Sequence, residues 1–123
     1  MANDLPMGMI RDFLKQSTAE AHRKLDDSPL VLGLSNGSLS DEAYLAMLQA
    51  YLQFFAPWEA AMKQDHPEIV DALGAHRFEK SAWLAEDIAT LGGSTITPAP
   101  LDPPKDHPAL LGTLYVVEGS TLG

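Results

Sequence analysis

The 123-residue chain contains no cysteine, which excludes thiolate metal sites, disulfide scaffolds and cysteine nucleophiles and leaves nothing that points to an oxidising compartment. Basic residues are scarce: 8 Lys and Arg stand against 17 Asp and Glu, a formal net charge of −9. That balance opposes any general attraction to nucleic acid or to anionic membranes, so a cationic ligand site has to be local. No run of about 18 apolar residues occurs, which argues against a membrane-crossing helix. The opening Met1-Ala2-Asn3-Asp4-Leu5-Pro6 lacks the basic segment and apolar stretch of a signal peptide, and a cytoplasmic location is the expectation. Internal repeats and a credible set of strands are missing too.

What is present is helical periodicity. Hydrophobic residues make up 46 % of the chain, enough for one soluble domain over residues 1–123 with a modest core. From Met9 to Leu25 the positions Ile10, Phe13, Leu14, Ser17, Ala21 and Leu25 recur at helical spacing and predict an amphipathic helix ended by the Asp26-Asp27-Ser28-Pro29 turn. Pro29 to Leu39 reads as a loop. Ser40, followed by Asp41 and Glu42, reads as the capped start of a second helix that reaches about Lys63. Along it Tyr44, Leu48, Tyr51, Phe55 and Trp58 fall on one face, a stripe that reads as core rather than as a cofactor box, and Pro57 is expected to bend the helix. A third helical region starts at His66-Pro67, breaks near Gly74, resumes through Phe78, Trp83, Leu84 and Ile88, and stops at Gly92-Gly93. Five of the nine prolines lie between Ser94 and Pro108 and require an extended loop. Asp106 or His107 then caps a fourth helix with Pro108 in its first turn. The predicted class is all-α, an irregular antiparallel assembly of about four helices.

Two constellations carry chemistry. At ~100° per residue, Arg11, Lys15, Thr18, His22 and Asp26 form one narrow strip beside the apolar stripe of the first helix. A nitrogen ligand with cations one to three turns back suits haem, which needs an axial ligand on its apolar face and partners for two propionates. A half-buried histidine with Asp26 as its helical neighbour fits the same residues. In the fourth helix Gly119 and Gly123 share a face, with Gly112 seven residues before Gly119. Each glycine inside a helix costs ~1 kcal/mol relative to alanine, so something must approach this backbone closely, whether a flat ligand or another helix. Other motifs fail. Gly33-Leu34-Ser35-Asn36-Gly37 matches a nucleophile elbow, but no sheet exists to carry it. A di-iron bundle needs Glu three residues before His, whereas Ala19, Lys63, Leu73 and Pro104 precede His22, His66, His76 and His107. His66 and His107 each precede a helix-starting proline, so capping or exposure is expected of them, and His76 is expected in the break between helices.

Over nearly its whole length the chain resembles the biliverdin-producing haem oxygenases, particularly the bacterial ones associated with bacteriophytochromes. Leu14-Lys15-Gln16-Ser17-Thr18-Ala19-Glu20-Ala21-His22 resembles the family's proximal helix, and Leu114-Tyr115-Val116-Val117-Glu118-Gly119-Ser120-Thr121-Leu122-Gly123 resembles its glycine-bearing distal helix. The Tyr44-to-Trp58 stripe and Trp83-Leu84-Ala85-Glu86-Asp87-Ile88 follow in the family's order. The resemblance implies a haem-oxygenase-like helical fold, with His22 as the iron ligand, Lys15 and Arg11 near the propionates, and Gly119 and Gly123 backing the distal haem face. It implies haem b as both cofactor and substrate, cleaved with O2 and electrons from a ferredoxin or reductase to biliverdin, CO and iron. Family members continue past this point, so the expectation is a chain truncated within the distal helix. A haem-binding fragment without turnover, or a helical interaction fragment with a structural histidine, are the other functions the residues allow.

Overall fold

The structure, a computed structural model, describes residues 6–95 and 97–119. Those residues form six α-helices and no strand: α1 (Met7–Asp26), α2 (Pro29–Asn36), α3 (Asp41–Asp65), α4 (Pro67–Leu73), α5 (Lys80–Thr90) and α6 (His107–Gly119), with a 3-10 turn at Ala75–Phe78. The all-α expectation holds, with six helices among the described residues in place of about four, because Pro29–Asn36 is itself helical and the third region is split at Gly74 into α4 and α5. They divide into two compact units, Met1–Tyr44 and Leu45–Gly123, with the boundary inside α3.

In the first unit, α1 begins where the Pro6 carbonyl accepts the Met9 amide at 2.8 Å and ends with Arg23 and Lys24 in its last turn, cations suited to the helix dipole. None of its 20 residues is buried. Its apolar stripe is open to solvent, with Phe13 67 % and Leu25 64 % exposed. The segment expected to be a loop after Asp26 is largely helix. Ser28 caps α2, its Oγ accepting the Val31 amide at 3.3 Å, Pro29 occupies the first turn, and Gly37 closes the helix with φ +72°. These are the cap, proline and glycine of a complete short helix, and the Gly-Ser-Asn content in between does not prevent it. The chain then folds back, so that Leu39 packs on Gly33, where a Cβ would stand 3.0 Å from Leu39 Cδ1.

The start of α3 follows the sequence: Ser40 Oγ accepts the Ala43 amide at 3.1 Å, and Asp41 and Glu42 lie in the first turn. In the second unit α3 is the central element. Its Phe55, Trp58 and Met62 pack with Val70 of α4, Phe78, and Leu110, Leu114 and Val117 of α6. A second cluster joins Leu48 and Leu52 to Ile88 of α5, and Leu84 borders both. The aromatic stripe is therefore core only in part. Tyr44 and Tyr51 are exposed. Beside Tyr51 the space between α3 and α5 is an open groove of about 370 Å³, lined by Met47, Tyr51, Phe55 and Trp83 among others, so among the described residues no element covers the ring there. The break near Gly74 is present, at φ +101°, a backbone state that only glycine adopts without strain. Asp106 caps α6, its carboxylate accepting the Ala109 amide at 3.3 Å.

Candidate functional site

The strip predicted on the first helix is intact on α1. His22 lies in the open, with 75 % of its side chain exposed rather than half-buried, on a helix none of whose residues is buried. Its Nδ1 meets Asp26 Oδ2 at 3.0 Å, a carboxylate one turn further on. Nε2 is then the nitrogen turned away from the carboxylate and available to a ligand. Arg11 and Lys15 are exposed on the same strip, and neither has an ion-pair partner among the described residues. Thr18 Oγ1 donates to the Leu14 carbonyl at 2.8 Å, so its hydroxyl is committed to its own helix.

The glycine face lies on α6, in the second unit. Leu110, Leu114 and Val117 point into the core, while Leu111, Tyr115 and Val116 are 61, 82 and 67 % exposed. The helix is thus apolar on both sides, a pattern that a surface helix avoids unless its second face has a partner. Gly112 and Gly119 lie on the open side. A Cβ built at either meets nothing within 4 Å, so neither glycine serves a close helix contact among the described residues. Gly123 lies outside the described residues.

Two features escaped the sequence reading. Glu59, 2 % exposed in the middle of the core, accepts the backbone amides of Lys80 at 2.8 Å and Ser81 at 3.0 Å and so caps α5 from α3. Its position four residues after Phe55 and three before Met62 was the available signal, since it puts an acid on the buried face. The other is an ion cluster on α6, where Glu118 holds Arg77 Nη1 at 3.1 Å and Lys80 Nζ at 3.3 Å. Of the other histidines, His66 is 8 % exposed and starts α4 without a side-chain cap bond, correcting the expectation of capping or exposure; its ring contacts Glu68 at 3.7 Å. His76 lies in the break, and His107 is exposed in the first turn of α6.

Among the described residues no three His, Asp or Glu side chains gather to hold a bare metal ion. His22 offers a single nitrogen, which suits an iron whose other ligands come from a macrocycle. Arg11 and Lys15 are exposed cations on the same helix strip as His22. The family model for heme oxygenase matches residues 10–123. The chain belongs to the heme oxygenase family. No curated protein and no solved structure matches it. Among the described residues no helix is long and apolar enough to cross a membrane.

Proposed function

We propose that the chain is a biliverdin-producing haem oxygenase of the bacteriophytochrome-associated kind, or the haem-binding part of one, with His22 as the iron ligand. The observation that carries this reading is the posture of His22, an exposed imidazole whose Nδ1 is engaged by Asp26 within the stretch that matches the family. A metal-binding histidine works best when an acceptor holds its second nitrogen, which orients the ring and raises the basicity of the ligating one. Asp26, at 3.0 Å, is that acceptor.

Arg11 and Lys15 supply the local positive charge that two propionates require, against the net −9 of the chain. Thr18 contributes its place on the strip. The open face of α6 supplies apolar cover, and Gly119 brings bare backbone to the ligand, a role that the family resemblance implies for Gly123 as well. When bound, haem supplies the redox chemistry, its ring being opened with O2 and external electrons to biliverdin, CO and iron. The electrons come from a separate donor such as a ferredoxin or a reductase, as the family resemblance implies.

The test is to load the purified chain with haemin and add ascorbate, or a ferredoxin–reductase couple, in air. A Soret band that saturates near one equivalent and decays into a biliverdin absorption is expected. A stable band would reduce the proposal to haem binding without turnover, and no saturable band would refute it.

A further inference from the structure

The ion cluster at the end of the described part of α6 links that helix to Lys80 and Arg77. Lys80 is engaged at four points. Its amide donates to buried Glu59 at 2.8 Å, its Nζ donates to the Arg77 carbonyl at 3.0 Å and to Glu118 Oε1 at 3.3 Å, and Nζ stands 5.6 Å from the centre of the Phe55 ring. Arg77 Nη1 holds the other oxygen of Glu118 at 3.1 Å. Both Lys80 and Glu118 are largely shielded, with 16 and 23 % of their side chains exposed. Shielded charge-assisted bonds in a fixed geometry hold a helix face far more firmly than a surface ion pair does.

Glu118 directly precedes Gly119, whose open side lies opposite Val117 and the rest of the packed face. Aliphatic contacts such as those of Leu110, Leu114 and Val117 have no direction of their own and by themselves tolerate small slides and rolls of a helix. Two cations gripping the two oxygens of one carboxylate remove that freedom. The chain of contacts runs from Glu59 to the Lys80 backbone, from Lys80 Nζ to Glu118, and from Glu118 to the adjoining Gly119 backbone.

We propose that Glu118, locked by Arg77 and Lys80, is a positioning residue that sets the height and rotation at which α6 presents the Gly119 backbone to the ligand. This rests on the reading of the open α6 face as a haem-facing surface. The role is indirect: Glu118 acts through Gly119.

The test uses the full chain with Glu118→Gln and Lys80→Met, singly and together, and two readouts. Without haem, amide hydrogen exchange at residues 116–119 reads the anchoring itself. Loss of one charge-assisted bond to a shielded group corresponds to an exchange rate raised about tenfold or more. Glu118→Gln, which weakens both grips, should give the larger rise, Lys80→Met, which leaves Arg77 on Glu118, a smaller one, and the double variant little more than Glu118→Gln, while the Met62 and Ile88 amides stay protected. With haemin bound and reduced under CO, the iron–carbon stretching frequency reads the surroundings of the ligand and should shift in both variants while the Soret band still saturates at one equivalent. Unchanged exchange would overturn the proposal, and so would faster exchange with an unmoved frequency, which would leave the cluster a structural tie only. Failure of the unsubstituted chain to bind haemin would refute the functional reading as well, whereas binding with an unmoved frequency would refute this inference alone.

Discussion

Replacing Glu59 by alanine should be among the more damaging single changes in the second unit. The side chain is 2 % exposed and its two oxygens receive the amides of Lys80 and Ser81 at 2.8 and 3.0 Å. A hydrogen bond to a charged group contributes about 1.5–3 kcal/mol, and losing a helix cap costs about 0.5–2 kcal/mol. These overlap, because the two amides are themselves the orphan donors of the first turn of α5. We therefore expect a loss of about 3 kcal/mol, a large share of the roughly 5–15 kcal/mol of a whole domain. Glu59→Gln retains one acceptor oxygen but turns an NH2 group toward a backbone N–H, so about 2 kcal/mol should be lost. Urea unfolding followed by tryptophan fluorescence reads this locally, since the two tryptophans, Trp58 and Trp83, both lie in the second unit. An alanine variant within about 0.5 kcal/mol of the unsubstituted chain would refute the assignment of Glu59 as a buried cap.

The same unfolding assay checks Gly74, where φ is +101° and a Cβ would stand 2.7 Å from His76 Cε1: Gly74→Ala should cost about 1–3 kcal/mol. Gly112→Ala should do the reverse and stabilise α6 by about 0.5–1 kcal/mol, since a Cβ there enters open space inside a helix. Gly119→Leu should leave the thermal midpoint nearly unchanged and weaken haemin binding in the Soret titration; full binding would remove Gly119 from the ligand surface.

The parts of this fold that could be read in the sequence are those where one residue dictates a local event. Ser40 with Asp41 and Glu42, Asp106 ahead of Pro108, and the glycine at 74 each determine a helix boundary by backbone chemistry, and each boundary appears where expected. The first helix, read over Met9–Leu25, spans Met7–Asp26. Region Pro29–Leu39 went wrong because its turn-like composition outweighed a cap at Ser28 and a closing glycine at position 37 that together specify α2. Tyr44 and Tyr51 share the periodicity of Phe55 and Trp58 yet are exposed, since periodicity says which residues share a face and not how far a neighbouring helix extends along it. At the candidate site, the His22 strip needed only helical spacing, which is local. Its full exposure, the second apolar face of α6 and the grip of Arg77 and Lys80 on Glu118 depend on contacts between distant segments, which no spacing rule encodes.

The most direct test of the central claim is haemin titration of the unsubstituted chain beside His22→Ala. Position 22 is exposed on α1 and should tolerate alanine without loss of helix. The unsubstituted chain should saturate near one equivalent with the spectrum of a histidine-ligated haem, and His22→Ala should lose that spectrum. An unchanged spectrum in the variant would contradict the assignment of His22 as the iron ligand.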